Sequence, residues 1–72
     1  MTPREFEKLT GLNGNECATL LRVSHSKWYE WRDGQRTVPP YIVASMEAHA
    51  ALFRAGMLAP VLARRQAEKR KA

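Results

Sequence analysis

The sequence has a single cysteine, Cys17. No internal disulfide can staple the fold, which fits a reducing compartment. No stretch approaches the roughly 18 apolar residues of a membrane span. Met1–Glu7 carries two glutamates and no apolar run, so no signal peptide is expected. His25 and His49 are the only histidines and stand far apart, without another histidine or cysteine at ligand spacing. That pattern holds no zinc. There is no Gly-rich phosphate loop and no Ser-His-Asp arrangement, so neither catalytic residues nor a cofactor nor a small-molecule ligand are expected. Cys17 lies on an apolar helical stripe, where a free thiol acts as a small hydrophobe. No segment alternates apolar and polar residues long enough to read as a strand.

What is present suits one small globular domain of 72 residues, since a chain this short builds one hydrophobic core. Its net charge is +5, and a basic balance invites a polyanionic partner. The distribution qualifies that argument. Residues 64–72 hold five bases and one acid, leaving seven bases and six acids in the body. The tail reads either as a solvated, frayed terminus or as a phosphate-contacting arm.

Helical spacing dominates, and the breaks carry recognisable chemistry. Thr2 is placed to cap a first helix that starts at Pro3, with Glu5 as its capping-box partner and Gly11 beyond its end. Asn13 with Glu16 repeats the device for a second helix running to about Arg22. Ser24 caps a third over about His25–Arg32, which carries Trp28 and Trp31 on one face and stops at Asp33-Gly34. A polar loop over 34–39 leads to Pro40, preset for the first turn of a fourth helix. Its stripe is Ile42, Val43, Met46, Ala50 and Phe53, and it ends at Gly56. Leu58–Ala72 suggests a fifth helix, with Pro60 confined to the first turn. The expected fold is therefore all-α, with four to five helices in a compact arrangement. The expected division is a helical body over 1–56 and a C-terminal extension over 57–72, a dimerisation helix, a basic tail or both.

The most informative segment is Asn13–Gly34: cap, short helix, a break of three or four residues, short helix, glycine. Helices joined this tightly cross steeply, so one can lie over a DNA backbone while the second enters the major groove. The strings Leu12-Asn13-Gly14-Asn15-Glu16-Cys17-Ala18 and Val23-Ser24-His25-Ser26-Lys27-Trp28-Tyr29-Glu30-Trp31-Arg32-Asp33-Gly34 resemble the phage repressor/Cro helix-turn-helix family, also called lambda-repressor-like or XRE-like. The matching residues are Glu16, Ala18, Leu21, Val23, Ser24, Trp31 and Gly34, with Pro39 after the loop. The resemblance covers roughly residues 3–54.

The resemblance implies a lambda-repressor-like fold and a cytoplasmic, nucleoid-associated DNA-binding regulator, a small phage or mobile-element repressor without enzymatic activity. It assigns base reading to Ser24, His25, Ser26, Lys27 and Glu30, and phosphate contact to Asn13, Asn15, Tyr29, Gln35 and Arg36. Three departures stand out. Gly14 replaces a phosphate-binding Gln, Arg22 replaces the turn glycine, and Arg32 stands where relatives carry Glu. With Glu7 at the matching first-helix position, an ion pair of exchanged charges, Glu7 with Arg32, is expected. The apolar residues of 46–62 exceed what four helices hide. Met46, His49, Ala50, Phe53, Met57 and Leu58 are therefore expected at a homodimer interface, which would set two recognition helices about 34 Å apart on a pseudo-palindromic operator. The alternative is an interaction module, antitoxin-like or a phage adaptor, that uses the same fold without reading bases.

Overall fold

A computed structural model describes residues 1–71 and contains five helices and, among the described residues, no strand: α1 (Pro3–Thr10), α2 (Gly14–Leu21), α3 (His25–Arg32), α4 (Pro40–Arg54) and α5 (Leu58–Lys71). The fold is all-α. Among the described residues no helix is long and apolar enough to cross a membrane.

Local chemistry places the helix ends. At α1 the Thr2 amide donates to Glu5 Oε1 at 2.8 Å while the Glu5 amide donates to Thr2 Oγ1 at 3.1 Å. At α2 the Asn13 amide donates to Glu16 Oε1 at 3.0 Å and the Glu16 amide to Asn13 Oδ1 at 2.8 Å. Each box satisfies two amides that the first helical turn leaves without partners. Ser24 caps α3 by accepting from the Lys27 amide at 3.1 Å.

The connection from α2 to α3 turns on Arg22, which adopts φ 58°, the only non-glycine residue in the left-handed region among the described residues. The Val23 amide reaches the Ala18 carbonyl at 3.0 Å and the Arg22 amide reaches Thr19 at 3.2 Å, a Schellman closure of α2. A glycine would hold this backbone without strain. Arg22 holds it while its guanidinium is tied elsewhere, as described below.

The core is formed by Phe6, Cys17, Ala18, Leu20, Leu21, Trp28, Trp31, Ile42, Met46, Ala50 and Leu58. Ala18 and Trp28 are fully buried, so a small residue and a large one fill the space between α2 and α3. Phe6 meets Trp28 edge-on at 6.2 Å between ring centroids, an arrangement that aromatic quadrupoles favour. The Trp28 indole N–H donates to Glu7 Oε2 at 2.7 Å, which lets its polar edge lie inside.

One expectation changes here. Met46 and Ala50 are wholly buried and Leu58 is 5% exposed, so these three line the chain's own core and are not available to a partner. Helical periodicity fixes which residues share a face, but not whose surface covers it. The segment expected as a C-terminal extension packs on the body over its described residues. Leu58 belongs to the core, Val61 and Leu62 pack against it, and α5 lies on α2 and α4.

Candidate nucleic-acid interface

The third helix is held by one side and exposed on the other. Trp28 and Trp31 bury their rings three residues apart, which turns the first turn of α3 outward. Ser24, Ser26 and Lys27 are exposed there and His25 is half-buried. These four lie together at the outward end of α3. Ser24 accepts the cap bond from the Lys27 amide, and its hydroxyl proton is still available to donate.

Glu30 behaves differently. Its carboxylate is bound by the Arg36 side chain from the loop after α3. The expected base reader and the expected phosphate contact thus neutralise each other, and neither offers a free charge in this conformation. The loop geometry that brings them together comes from the end of α3, where the Gln35 and Arg36 amides both reach the Glu30 carbonyl, at 2.8 and 3.3 Å. Gln35 is exposed on the same loop. A groove beside it is lined by Ser24, Lys27, Arg36, Thr37 and Tyr41 among others.

At the start of α2 the departure at Gly14 has a physical reason. A Cβ at this position would sit 2.6 Å from the Tyr29 hydroxyl. The phenol occupies the space that a side chain at 14 would need, and its hydroxyl donates to Asn15 Oδ1 at 3.4 Å. The Arg32 guanidinium lies over the Tyr29 ring at 5.1 Å, holding it there by cation–π attraction. Asn13, Asn15 and Tyr29, the expected phosphate contacts, are thereby gathered at one helix end, where backbone amides point outward.

The expected Glu7–Arg32 ion pair is present as a long contact without a hydrogen bond. Arg32 Nη1 stands 3.9 Å from Glu7 Oε2, the same oxygen that accepts from Trp28. Arg32 also lies 3.8 Å from Asp33, and its Nε is buried without a hydrogen-bond partner.

What sequence reasoning missed is where α5 docks. Its last turns are helical and docked rather than frayed. Arg22 donates twice to Glu68, at 2.9 and 2.8 Å, and Lys69 reaches Thr19 Oγ1 at 3.5 Å and His25 Nε2 at 3.2 Å. A second groove, between α2 and α5, is lined by Asn15, Glu16, Thr19, Gln66, Lys69 and Arg70. Lys69 therefore stands beside the first residue of α3, and Lys69 and Arg70 beside the first turn of α2. The lone glutamate among the tail's cations was the available signal, because an acid there has little reason to stay unless a base elsewhere holds it.

The Arg22 hydrogen bonds hold the Glu68 carboxyl below its ordinary range, with help from Arg65 and Arg64. A lowered folded value means that the contact is intact at neutral pH and is lost as pH falls through it. Acidification is expected to release the last turns of α5 before the rest unfolds, read as faster amide exchange at 66–70 with unchanged exchange in α2. Uniform exchange across α5 and α2 at low pH would contradict this.

Of the expected interface residues outside the core, Phe53 is 37% and Met57 58% exposed, and Tyr41, not foreseen as exposed, reaches 71%. His49 is half-buried, its Nδ1 turned back on the Ser45 carbonyl at 2.7 Å. Among the described residues no group of three His, Cys, Asp or Glu is arranged to hold a metal ion. No family model, no curated protein and no solved structure matches this chain.

Proposed function

We propose that this chain is a sequence-specific DNA-binding regulator, a binding module rather than an enzyme, whose α3 enters the major groove with its first turn leading. One observation carries the reading: α3 is pinned by two buried tryptophans, so that Ser24, His25, Ser26 and Lys27 project from a fixed frame, with the cations of α5 alongside. A rigid helix presenting short polar side chains suits base edges, while flanking cations and helix-end amides suit phosphates. The resemblance to the repressor/Cro family points the same way. We infer a small cytoplasmic repressor of phage or mobile-element type, acting on its own promoter as a dimer. Exposed Phe53 and Met57 supply the apolar surface for that dimer. The same surface, with Tyr41, favours the second reading, an interaction module that binds protein rather than DNA.

Fluorescence anisotropy with DNA from upstream of the chain's own gene, against a scrambled competitor, separates the two. Wild-type protein is expected to prefer the native DNA, and Ser26→Ala combined with Lys27→Ala is expected to reduce that preference by about tenfold or more. Equal, steeply salt-dependent binding to both DNAs would leave only a nonspecific basic surface. Absence of binding at low salt would favour the protein-interaction reading.

A further inference from the structure

We propose that Lys69, from the far end of the chain, fixes the tautomer of His25 and so determines which base edge that histidine reads. The base-reading half of this rests on the DNA-binding reading above; the tautomer half stands without it.

The geometry is specific. Lys69 Nζ lies 3.2 Å from His25 Nε2 and 3.5 Å from Thr19 Oγ1. An ammonium group has three donors and no acceptor. For that contact to be a hydrogen bond, Nε2 must present its lone pair, and the ring proton of the neutral imidazole must sit on Nδ1. Lys69 is not a loose surface cation. It follows Glu68, which the Arg22 guanidinium grips through both oxygens, and Thr19 accepts a second of its protons. Thr19 of α2 directly, and Arg22 just beyond α2 through Glu68, thus steady the ammonium against the first residue of α3.

The consequence is chemical. With Nε2 occupied, the ring offers one hydrogen-bonding group, the Nδ1–H donor. A donor in the major groove selects an acceptor edge: guanine O6 or N7, adenine N7, or thymine O4. The amino group of cytosine, a donor, is rejected. Without Lys69 the ring could present a donor or an acceptor at either nitrogen, and discrimination at that base pair would weaken. Lys69 is thus a positioning residue for His25. Its third proton remains for a nearby phosphate oxygen.

Nitrogen-detected NMR of the full labelled chain tests the tautomer directly, at about pH 8.5, well above the ordinary imidazole value of about 6.5. His25 is expected to carry its proton on Nδ1. Lys69→Met should move population to the Nε2–H form, and Lys69→Arg, which keeps the donors, should retain the wild-type pattern. An Nε2–H ring in the wild type, or identical spectra for wild type and Lys69→Met, would overturn the proposal.

Selection from randomised DNA tests the consequence. Lys69→Met is expected to lose roughly threefold to tenfold preference at one base pair of each half-site, the worth of one hydrogen bond, with Lys69→Arg restoring it. An equal loss at every position would make Lys69 a phosphate contact only and overturn the base-reading half. If wild-type protein selects no DNA at all, the DNA-binding reading falls and takes that half with it, while the NMR result still decides the tautomer.

Discussion

Trp28→Ala is expected to leave the protein partly or wholly unfolded at physiological temperature. Trp28 has no exposed surface, stands against Phe6, and bonds Glu7 through its indole N–H. Truncating a buried Trp removes its transfer energy and leaves a cavity, about 3–5 kcal/mol together. A domain this small has a total stability near the low end of roughly 5–15 kcal/mol. For its size each kcal/mol lowers the melting temperature by about 4–8 °C, so a fall of more than about 12 °C is expected in a circular dichroism melt. A fall under about 8 °C would mean that the core closes around the gap. Trp28→Phe separates volume from hydrogen bonding. It keeps a ring against Phe6 but removes the donor from the partly buried Glu7 Oε2, at a cost of about 1–3 kcal/mol. Arg32, only 3.9 Å from that oxygen, is placed to move in and limit the loss.

Cys17 is expected to be nearly silent towards thiol reagents in the folded protein. Burial pushes its thiol up to about 12, and the Glu7 and Glu16 carboxylates add to the effect. The thiolate is the reacting form. At pH 8 a thiol with the ordinary value of 9.0 is about one-tenth ionised, whereas one at about 12 is ionised about one part in ten thousand. Ionisation alone therefore slows modification about a thousandfold, before the closed packing around the sulfur is counted. The sign of the linkage follows from the raised value. The contribution of the protonated thiol to stability is complete below the unfolded value and is lost as pH rises from about 9 towards 12. Ellman's reagent at pH 8 gives the check: a slow rate in wild type, rising to the free-thiol rate in urea. Rapid reaction in native buffer would show that α2 opens readily. The same assay reports on Trp28→Ala, because an unfolded variant exposes Cys17.

The readable parts of this fold are those written in neighbouring residues. Thr2 with Glu5, Asn13 with Glu16, and Ser24 before α3 are local hydrogen-bonding devices, and each helix starts where its cap stands. The Trp28–Trp31 spacing foretold which side of α3 faces inward, and with it the outward turn of the candidate site. What stayed hidden depends on segments meeting from a distance. Met46, Ala50 and Leu58 were legible as apolar but not as covered by their own chain, since α5 returns to α2 and α4 only in three dimensions. Arg22 was legible as a departure from glycine. Its bond to Glu68 was not, because nothing in either residue's neighbourhood names a partner 46 positions away. Glu30 and Arg36 were each assigned a role as single charges, and the turn at Gly34 brings them face to face instead.

The phenol seated over Gly14 makes positions 14 and 29 a single inherited unit. A side chain at 14 would displace the Tyr29 hydroxyl, and the ring, being the far end of a flexible side chain, would swing aside rather than break the fold. Descendants of this sequence can therefore hold a hydroxyl beside Asn15 in one of two ways: from across the turn with glycine beneath it, or from a polar residue at 14 with something smaller at 29. Drift at one position alone would leave the helices standing and erase that hydroxyl.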